Sequence, residues 1–216
     1  MGAHTVPQVV PLFATPLVVL DVPDAASLNV ELGRAIAERE KSHPSAHKSN
    51  MGGWQSTGDM DRWGGAAAVK LLAFARNVAN RMTTDAEGAV GKGPYPGYFA
   101  VTWIGNMWAN VNRAGHGNGF HSHPGAYWSG VYYVDDGGIA NDPALGGELE
   151  FLDPRGAVPL MNAPNLRMSG SPTAGATEKV TPKAGRMVIF PSWLLHQVRP
   201  YHGTATRISI AFNLAV

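Results

Sequence analysis

The stretch that decides the fold is WSGVYYVDD, residues 128–136. It joins aromatic and β-branched side chains, which favour strands, and it runs into the turn residues DDGG. Three similar stretches follow it, separated by segments rich in Gly and Pro: GGELEFLD (146–153), GRMVIFP (185–191) and TRISIAFNL (206–214). Because no helical pattern lies between these strands, the sequence predicts a sandwich or barrel rather than a parallel sheet.

The region before these strands has a helical period instead. Apolar side chains recur at helical spacing twice, and they predict helices over about 25–41 and about 65–84. The buried stripes would be Leu28, Leu32, Ala35 and Ile36 in the first helix, and Leu71, Ala75, Val78 and Met82 in the second. Asp24 is the expected N-cap of the first helix. We expect both helices to pack against one face of a sheet.

Three further stretches complete the outline of the chain. Residues 6–22 predict one or two short strands broken by prolines. Residues 42–63 have no period and predict a loop. YFAVTWIGNMWANVN (98–112) is rich in aromatic and β-branched residues, so the β region begins near residue 98.

The size and composition are those of a globular protein. The 216 residues are 44% apolar, and they predict a single domain over 1–216, with helical support over about 24–97 and a β core over about 98–216. With 17 Lys and Arg against 16 Asp and Glu, the net charge of +1 indicates no nucleic-acid partner. The absence of cysteine excludes disulfides, thiolate catalysis and iron–sulfur clusters.

The cellular setting is predicted from what the sequence lacks. No apolar stretch approaches the roughly 18 residues of a membrane span. The first ten residues, MGAHTVPQVV, lack the pattern of a signal peptide, so we expect a cytoplasmic protein. The sequence leaves the oligomeric state open, with a homodimer as one option.

His121-Ser122-His123 is the first constellation that indicates chemistry. Side chains alternate along a strand, so two histidines two residues apart share a face and aim into one space. Imidazole suits iron, zinc, copper and nickel, and the pattern therefore predicts a metal site. On its own the pattern also fits two ordinary polar histidines near a turn.

His196 is the second candidate ligand, and it lies in the apolar stretch IFPSWLLHQV. A lone histidine in such a setting is commonly a hydrogen-bonded core residue. Taken with His121 and His123, it instead completes a set of three imidazoles that leaves coordination positions open.

Arg207 and Ser209 share one face of the last strand, because Ile208 and Ile210 face the other side. An arginine on the inner face of a strand is costly unless it meets an anion, and its planar fork suits a carboxylate. The alternatives are an ion pair within the chain or an exposed edge strand. The candidate acidic partners are Asp153, Glu148 and Glu150.

Five stretches of the sequence resemble those of a known family. The stretches that carry the resemblance are GGWQS (52–56), HSHPGAYWSGVYYV (121–134), GGELEFLDPR (146–155), AGRMVIFPSWLLHQV (184–198) and TRISIAFNL (206–214). Together they resemble the 2-oxoglutarate/Fe(II)-dependent oxygenases of the prolyl-hydroxylase-like type. The resemblance implies a mainly β (α+β) fold, a jelly-roll or cupin-like double-stranded β-helix with supporting N-terminal helices and iron in its mouth.

The resemblance also implies roles for individual residues. His121 matches the first iron ligand and His196 the distal one, while Arg207, eleven residues later, matches the residue that binds the far carboxylate of 2-oxoglutarate. Ser209 completes an Arg-x-Ser pattern seen in relatives. Tyr133 shares a strand face with Ser129 and Val131 and is a further candidate to donate to that carboxylate. The alternative for Tyr133 is a buried tyrosine with a partner of its own.

His123 departs from the superfamily pattern, which has a carboxylate at this position. Three neutral imidazoles would leave the full 2+ charge on Fe(II), so this departure puts ordinary hydroxylation in question but not metal binding. A carboxylate from elsewhere remains an alternative, with Asp135, Asp136, Glu148 and Glu150 as candidates. His116, in the loop AGHGNG, is expected to be a loop residue, and the alternative is a position beside the substrate or behind the metal ligands.

The predicted reaction is oxidation of an unidentified small-molecule or peptide substrate, with Fe(II) and 2-oxoglutarate as cofactor and cosubstrate. Residues 154–182 form a long Pro- and Gly-rich segment that we interpret as a lid over the site. Three other classes remain open: a zinc hydratase or hydrolase, a cupin-like dioxygenase without 2-oxoglutarate, and a binding module without activity. The cupin-like option lacks a glutamate soon after His-x-His, where the chain has Gly125, Ala126, Tyr127 and Trp128.

Overall fold

The protein is represented by a computed structural model that describes residues 8–46, 48–85 and 101–216. The helices of these ranges are α1 (Ala25–Ser42), α2 (Met60–Trp63), α3 (Gly65–Arg81) and α4 (Val158–Asn162), with a 3-10 turn at Pro143–Leu145. The strands are β1 (Val18–Asp21), β2 (Asn50–Met51), β3 (Trp54–Gln55), β4 (Ile104–Asn112), β5 (Gly117–His121), β6 (Trp128–Asp135), β7 (Leu149–Leu152), β8 (Thr177–Val180), β9 (Arg186–Pro191), β10 (His196–Val198) and β11 (Arg207–Ala215).

The described strands form two antiparallel sheets. The six-stranded sheet has the order β1-β9-β6-β11-β4-β3, and the five-stranded sheet has the order β2-β5-β10-β7-β8. From β4 onward the chain passes back and forth between the sheets, and only β7 and β8 are consecutive in one sheet. This winding confirms the predicted double-stranded β-helix with a mainly β content.

The six-stranded sheet separates two apolar clusters, because its side chains alternate between its faces. On β11, Ile210, Phe212 and Leu214 face α1 and α3 and belong to the larger cluster. Tyr132, on β6, faces the same side and donates a hydrogen bond to Asn29 of α1 at 2.6 Å. The other face of the sheet meets the five-stranded sheet, and the space between the sheets holds the second cluster.

One glycine in the quoted stretch is required by this packing. Gly130 lies on β6 between β9 and β11, and a Cβ there would collide with the ring of Phe212 and with the carbonyl oxygen of Val188. A strand glycine at such a close approach is a packing requirement rather than a turn signal.

The helix predictions hold, with differences at their edges. The expected helices correspond to α1 and α3, and Leu28, Leu32, Ile36, Leu71 and Ala75 are buried as expected. Met82 is not: it lies beyond the end of α3 and is 44% exposed. Asp24 precedes α1, but its side chain makes no capping hydrogen bond.

The loop predictions miss several short elements. Residues 42–63 contain β2, β3 and α2, and the predicted lid contains α4 and β8. Strands of two to four residues are too short to show a period, and pairing with a neighbour decides them. Within the segment 6–22, where one or two strands were predicted, β1 is the only strand among the described residues. Residues 98–100 lie outside the described ranges. No helix of the described ranges is long and apolar enough to span a membrane.

Candidate metal centre

The three candidate histidines lie at one end of the space between the sheets. β5 ends at His121 and β10 begins at His196, and these two residues are paired directly across the strands. His123 lies two residues beyond the end of β5, where its backbone N–H donates to the carbonyl of Ser192 at 2.9 Å. Strand pairing therefore places two of the rings, and a loop contact places the third.

The rings are close enough for one ion. The distances between ring centroids are 4.4 Å for His121–His196, 4.9 Å for His121–His123 and 5.1 Å for His123–His196. One ring nitrogen from each lies within 4.8 Å of the others. No Asp or Glu belongs to this cluster in the described part of the chain. The carboxylate alternatives Asp135, Asp136, Glu148 and Glu150 are therefore not brought to it.

Backbone carbonyls set the tautomers of two of these rings. His121 Nδ1 lies 2.7 Å from the carbonyl oxygen of Gly119, and His196 Nδ1 lies 2.8 Å from that of Leu194. A carbonyl oxygen can only accept, so each Nδ1 carries the proton and each Nε2 presents a lone pair. Such outer hydrogen bonds are what orient metal-binding imidazoles.

Burial keeps the three imidazoles neutral. Burial lowers the pKa of His121, and burial together with the His121 ring lowers the pKa of His123 to about 4 and that of His196 to about 3. The surroundings are aromatic: the His196 ring lies 4.6 Å from the ring of Phe190, and the His123 ring lies 5.7 Å from that of Trp108. Neutral imidazole is the form that binds metals.

Arg207 lies within the six-stranded sheet rather than at its edge, because β11 pairs with β4 on one side and β6 on the other. Its side chain is only 1% exposed. Nη1 donates to Asn112 Oδ1 at 3.4 Å and to Ser209 Oγ at 3.3 Å. Nε and Nη2 have no hydrogen-bond partner among the described residues, and neither has the hydroxyl of Tyr133.

The acidic residues considered as partners of Arg207 are engaged elsewhere. Arg199 lies 3.9 Å from Glu148 and 3.5 Å from Glu150, while Arg155 lies 2.8 Å from Asp153. Burial lowers the pKa of Arg207 and outweighs the opposing influence of Tyr133, Tyr201 and Asp136. A buried, under-bonded guanidinium is costly, and such a group indicates a site for an anion.

Arg207 and the histidines face the same space between the sheets. The Arg207 guanidinium carbon lies 5.3 Å from the ring centroid of Tyr133, and Tyr133 belongs to the cluster between the sheets. That cluster also contains Phe151 and Phe190, which contact the His196 ring. Arg207 begins β11, and the histidines lie near the opposite end of that strand. The imidazoles and the guanidinium are therefore linked by one cluster of aromatic and apolar side chains between the sheets.

A cavity of about 510 Å³ borders two neighbours of His196, and none of the three histidines lines it. Its floor includes Phe151 and Leu194, and its walls come from residues 9–17 and from the predicted lid, including Met168. The walls are mostly apolar. The segment interpreted as a lid therefore borders a cavity that shares Phe151 and Leu194 with the surroundings of His196.

Asp153 anchors the predicted lid at its base. Its carboxylate accepts hydrogen bonds from the backbone and guanidinium of Arg155 and from the backbone N–H of Gly175 at 2.7 Å. Arg155 also donates to Ser171 within the lid. The Arg155 guanidinium is the main reason that the pKa of Asp153 falls to about 2. Because the ionised form makes these contacts, the anchor is complete above pH 3.8 and is lost as the pH falls through about 2.

Replacing Asp153 by alanine should loosen the lid. We expect amide hydrogen exchange within residues 154–176 to accelerate by roughly tenfold or more, since each factor of ten corresponds to about 1.4 kcal/mol of local stability. Asp142→Ala is the matched control, because it removes a carboxylate from an exposed turn, where it accepts only from Ala144 N. Equal exchange in the lids of Asp153→Ala and Asp142→Ala would show that Asp153 is no anchor.

Several neighbours of the site were not expected from the sequence. Asn112 contacts Arg207, and Ser49 lies 3.4 Å from His121. Ser49 comes from the segment predicted as a featureless loop, and only its position just before the GGWQS motif could have drawn attention to it. The ring of Trp108, on β4, lies beside that of His123. His116 is a loop residue whose ring accepts from the backbone of Arg113.

The chain matches one protein family in sequence and several solved structures in fold. Residues 106–213 match a family model described as "Putative 2OG-Fe(II) oxygenase". Among solved structures, a prolyl-4-hydroxylase from Pseudomonas putida is 16% identical with a TM-score of 0.62, and the match covers 94% of each chain. A prolyl hydroxylase from Trichoplax adhaerens, in complex with a hypoxia inducible factor peptide fragment, is 16% identical with a TM-score of 0.61, over 92% of this chain and 83% of that one. No curated protein matches the sequence.

The chain belongs to the 2OG-Fe(II) oxygenase family, since the family model spans half of its length. It is a 2-oxoglutarate-dependent dioxygenase with a double-stranded β-helix, similar in fold to the prolyl hydroxylases. Fe(II) and 2-oxoglutarate are the cofactor and cosubstrate of this family, and the histidine cluster suits iron as a donor set.

Proposed function

We propose that the protein hydroxylates a C–H bond of its substrate, with His121, His123 and His196 as the iron ligands and Arg207, Ser209 and Tyr133 as the binding site for the far carboxylate of 2-oxoglutarate. The observation that carries this proposal is a set of buried hydrogen-bond donors on Arg207 and Tyr133. Arg207 Nε, Arg207 Nη2 and the Tyr133 hydroxyl are buried and lack partners among the described residues. A carboxylate would accept from these donors.

The residues near Arg207 and the residues near His196 would have different roles in the reaction. Arg207 and Tyr133 would bind and orient 2-oxoglutarate, and Ser209 would keep Nη1 in place. Phe151 and Phe190 would exclude water beside His196. Bound Fe(II), with 2-oxoglutarate and O₂, supplies the oxidation of the C–H bond and releases succinate and CO₂.

The charge of the proposed site differs from that of a site with a carboxylate ligand. Three neutral imidazoles leave the 2+ charge of iron intact, and a 2-oxoglutarate dianion brings the total to zero. A carboxylate ligand would make the same complex anionic. We therefore expect a redox potential and an oxygen reactivity that differ from those of the carboxylate-containing relatives.

The substrate side of the proposal rests on the apolar surroundings of the cavity. Phe13 is 87% exposed, Trp193 is 56% exposed and Met168 is 59% exposed. Phe13 and Met168 line the cavity that Phe151 and Leu194 also line, and Trp193 lies three residues before His196. Exposed apolar surface next to a site favours a substrate with apolar groups, either a small molecule or a peptide. A zinc hydrolase is less well supported, because it would leave the Arg207 donors without a function.

The activity can be tested before the substrate is known. Mixing the protein with Fe(II), 2-oxoglutarate and O₂ should give slow succinate formation, because oxygenases of this class turn over 2-oxoglutarate without a second substrate. Succinate measured by mass spectrometry should exceed that of a sample without enzyme and that of a sample treated with a chelator. If succinate never rises above the enzyme-free sample, with or without candidate apolar peptides, the proposed use of 2-oxoglutarate is wrong.

A further inference from the structure

The hydroxyl of Ser49 lies beside Nε2 of His121, the ring nitrogen that would bind a metal ion. It lies just before β2, and its Oγ is 3.4 Å from His121 Nε2. Its position is set by the backbone, because Gly119 N donates to the carbonyl of Ser49 at 3.0 Å and the next residue, Asn50, is paired with Asn118. Ser49 is therefore held beside the histidine cluster by the edge of β5.

The direction of each hydrogen bond around Ser49 follows from its partners. His121 Nδ1 carries the ring proton, since it faces the carbonyl oxygen of Gly119. Its Nε2 can then only accept, and the hydroxyl of Ser49 must be the donor. Asn118 Nδ2 in turn donates to Ser49 Oγ at 3.2 Å, so it occupies the acceptor side of that hydroxyl. The two hydrogen bonds therefore have one direction: Asn118 donates to Ser49, and Ser49 donates to His121.

An ion and a hydroxyl hydrogen cannot use the same lone pair. If His121 Nε2 binds iron, as the proposed function requires, the Ser49 hydroxyl must give up this contact. Asn118 would still donate to one of the two lone pairs of the hydroxyl, whose single hydrogen would then be free to donate to an oxygen beside the ion. No described carboxylate is available in the cluster to orient such an oxygen.

We propose, on the basis of the function proposed above, that Ser49 is a positioning residue of the metal centre, oriented by Asn118 and donating to an oxygen ligand of the ion held by His121. The residue would act through the ligands of the ion rather than by binding the ion itself. Outer hydrogen bonds of this kind contribute about 10- to 100-fold to metal affinity.

The test is a titration of the purified protein with Co(II), followed by its visible absorption and carried out without 2-oxoglutarate. Ser49→Ala should weaken Co(II) binding by about tenfold and change the position or intensity of the absorption band. Ser49→Thr keeps a hydroxyl and should restore both. Ser45→Ala is the matched control: Ser45 is a serine of the same segment that accepts from Gln55 N and donates to the carbonyl of Ala46, and it is not among the described partners of His121, His123 or His196.

The outcomes separate this proposal from the proposed function. If the Ser49→Ala variant melts at the wild-type temperature and binds Co(II) with unchanged affinity and spectrum, Ser49 has no part in the metal centre. Tighter binding in Ser49→Ala would also overturn the proposal, because it would make the hydroxyl a competitor of the ion. If the wild-type protein itself binds no Co(II), the histidine site fails first, and the role of Ser49 fails with it.

Discussion

Replacing Arg207 by alanine is expected to weaken 2-oxoglutarate binding by about 100-fold or more. Two buried guanidinium nitrogens lack partners among the described residues, and each charge-assisted hydrogen bond to a carboxylate contributes about 1.5–3 kcal/mol. Loss of two such bonds corresponds to at least two factors of ten. The measurement is an anaerobic titration of the Fe(II) protein with 2-oxoglutarate, followed by the weak visible charge-transfer band of the chelate.

The same variant separates binding from folding. Arg207→Ala removes a buried cation that has no acidic partner among the described residues, so the variant should remain folded, and its melting temperature without 2-oxoglutarate checks this. The rise in melting temperature that 2-oxoglutarate gives the wild-type Fe(II) protein should disappear. Arg199→Ala is the control, since that arginine lies outside the pocket and pairs with Glu148 and Glu150. Unchanged affinity in Arg207→Ala would mean that the carboxylate binds elsewhere.

Replacing His196 by alanine is expected to reduce metal affinity by more than about 100-fold. An outer partner of a metal ligand already contributes 10- to 100-fold, and loss of one of three direct ligands should exceed that. His196 is also 4% exposed and pairs directly with His121, so water cannot readily replace its ring. Fe(II) or Co(II) affinity, measured by competition with a chelator of known strength, gives the effect.

The control for this experiment is a histidine outside the cluster. His202 is exposed, and its backbone N–H donates to the carbonyl of Leu145. His202→Ala keeps this backbone bond and should bind metal as the wild-type protein does. The melting temperature of each variant shows whether it is folded. A folded His196→Ala variant that keeps wild-type affinity would exclude His196 as a ligand and would leave His121 and His123 without the third ring.

Much of the fold could be predicted because its signals are local. The long strands β4, β6, β9 and β11 are rich in aromatic and β-branched residues, and α1 and α3 have a helical period. The short strands β2, β3 and β8 have no such signal, since they form through pairing with β5, β4 and β7. Pairing partners far apart in the chain are not visible in a local pattern.

Part of the candidate site could likewise be predicted from local signals, and part could not. The predicted positions of His121, His196 and Arg207 followed from residue type, strand alternation and a family resemblance. Strand alternation did not place His123, because β5 ends at His121 and the loop contact with Ser192 brings the third ring in. The sequence also left three acidic partners open for Arg207, and their pairing with Arg199 and Arg155 was a matter of tertiary structure.

The amino-acid sequence by itself determined which faces of the strands are apolar, where the helices lie, and which side chains have the chemistry of a metal and carboxylate site. These properties depend on residue type and on spacing along a strand or helix. Only the tertiary structure decided that three rings converge and that Ser49 reaches His121 from 72 residues away in the chain. It also decided that two guanidinium nitrogens of Arg207 have no partner in the described ranges. Convergence depends on how two sheets wind around one space, and that arrangement results from the packing of the whole chain rather than from any one segment.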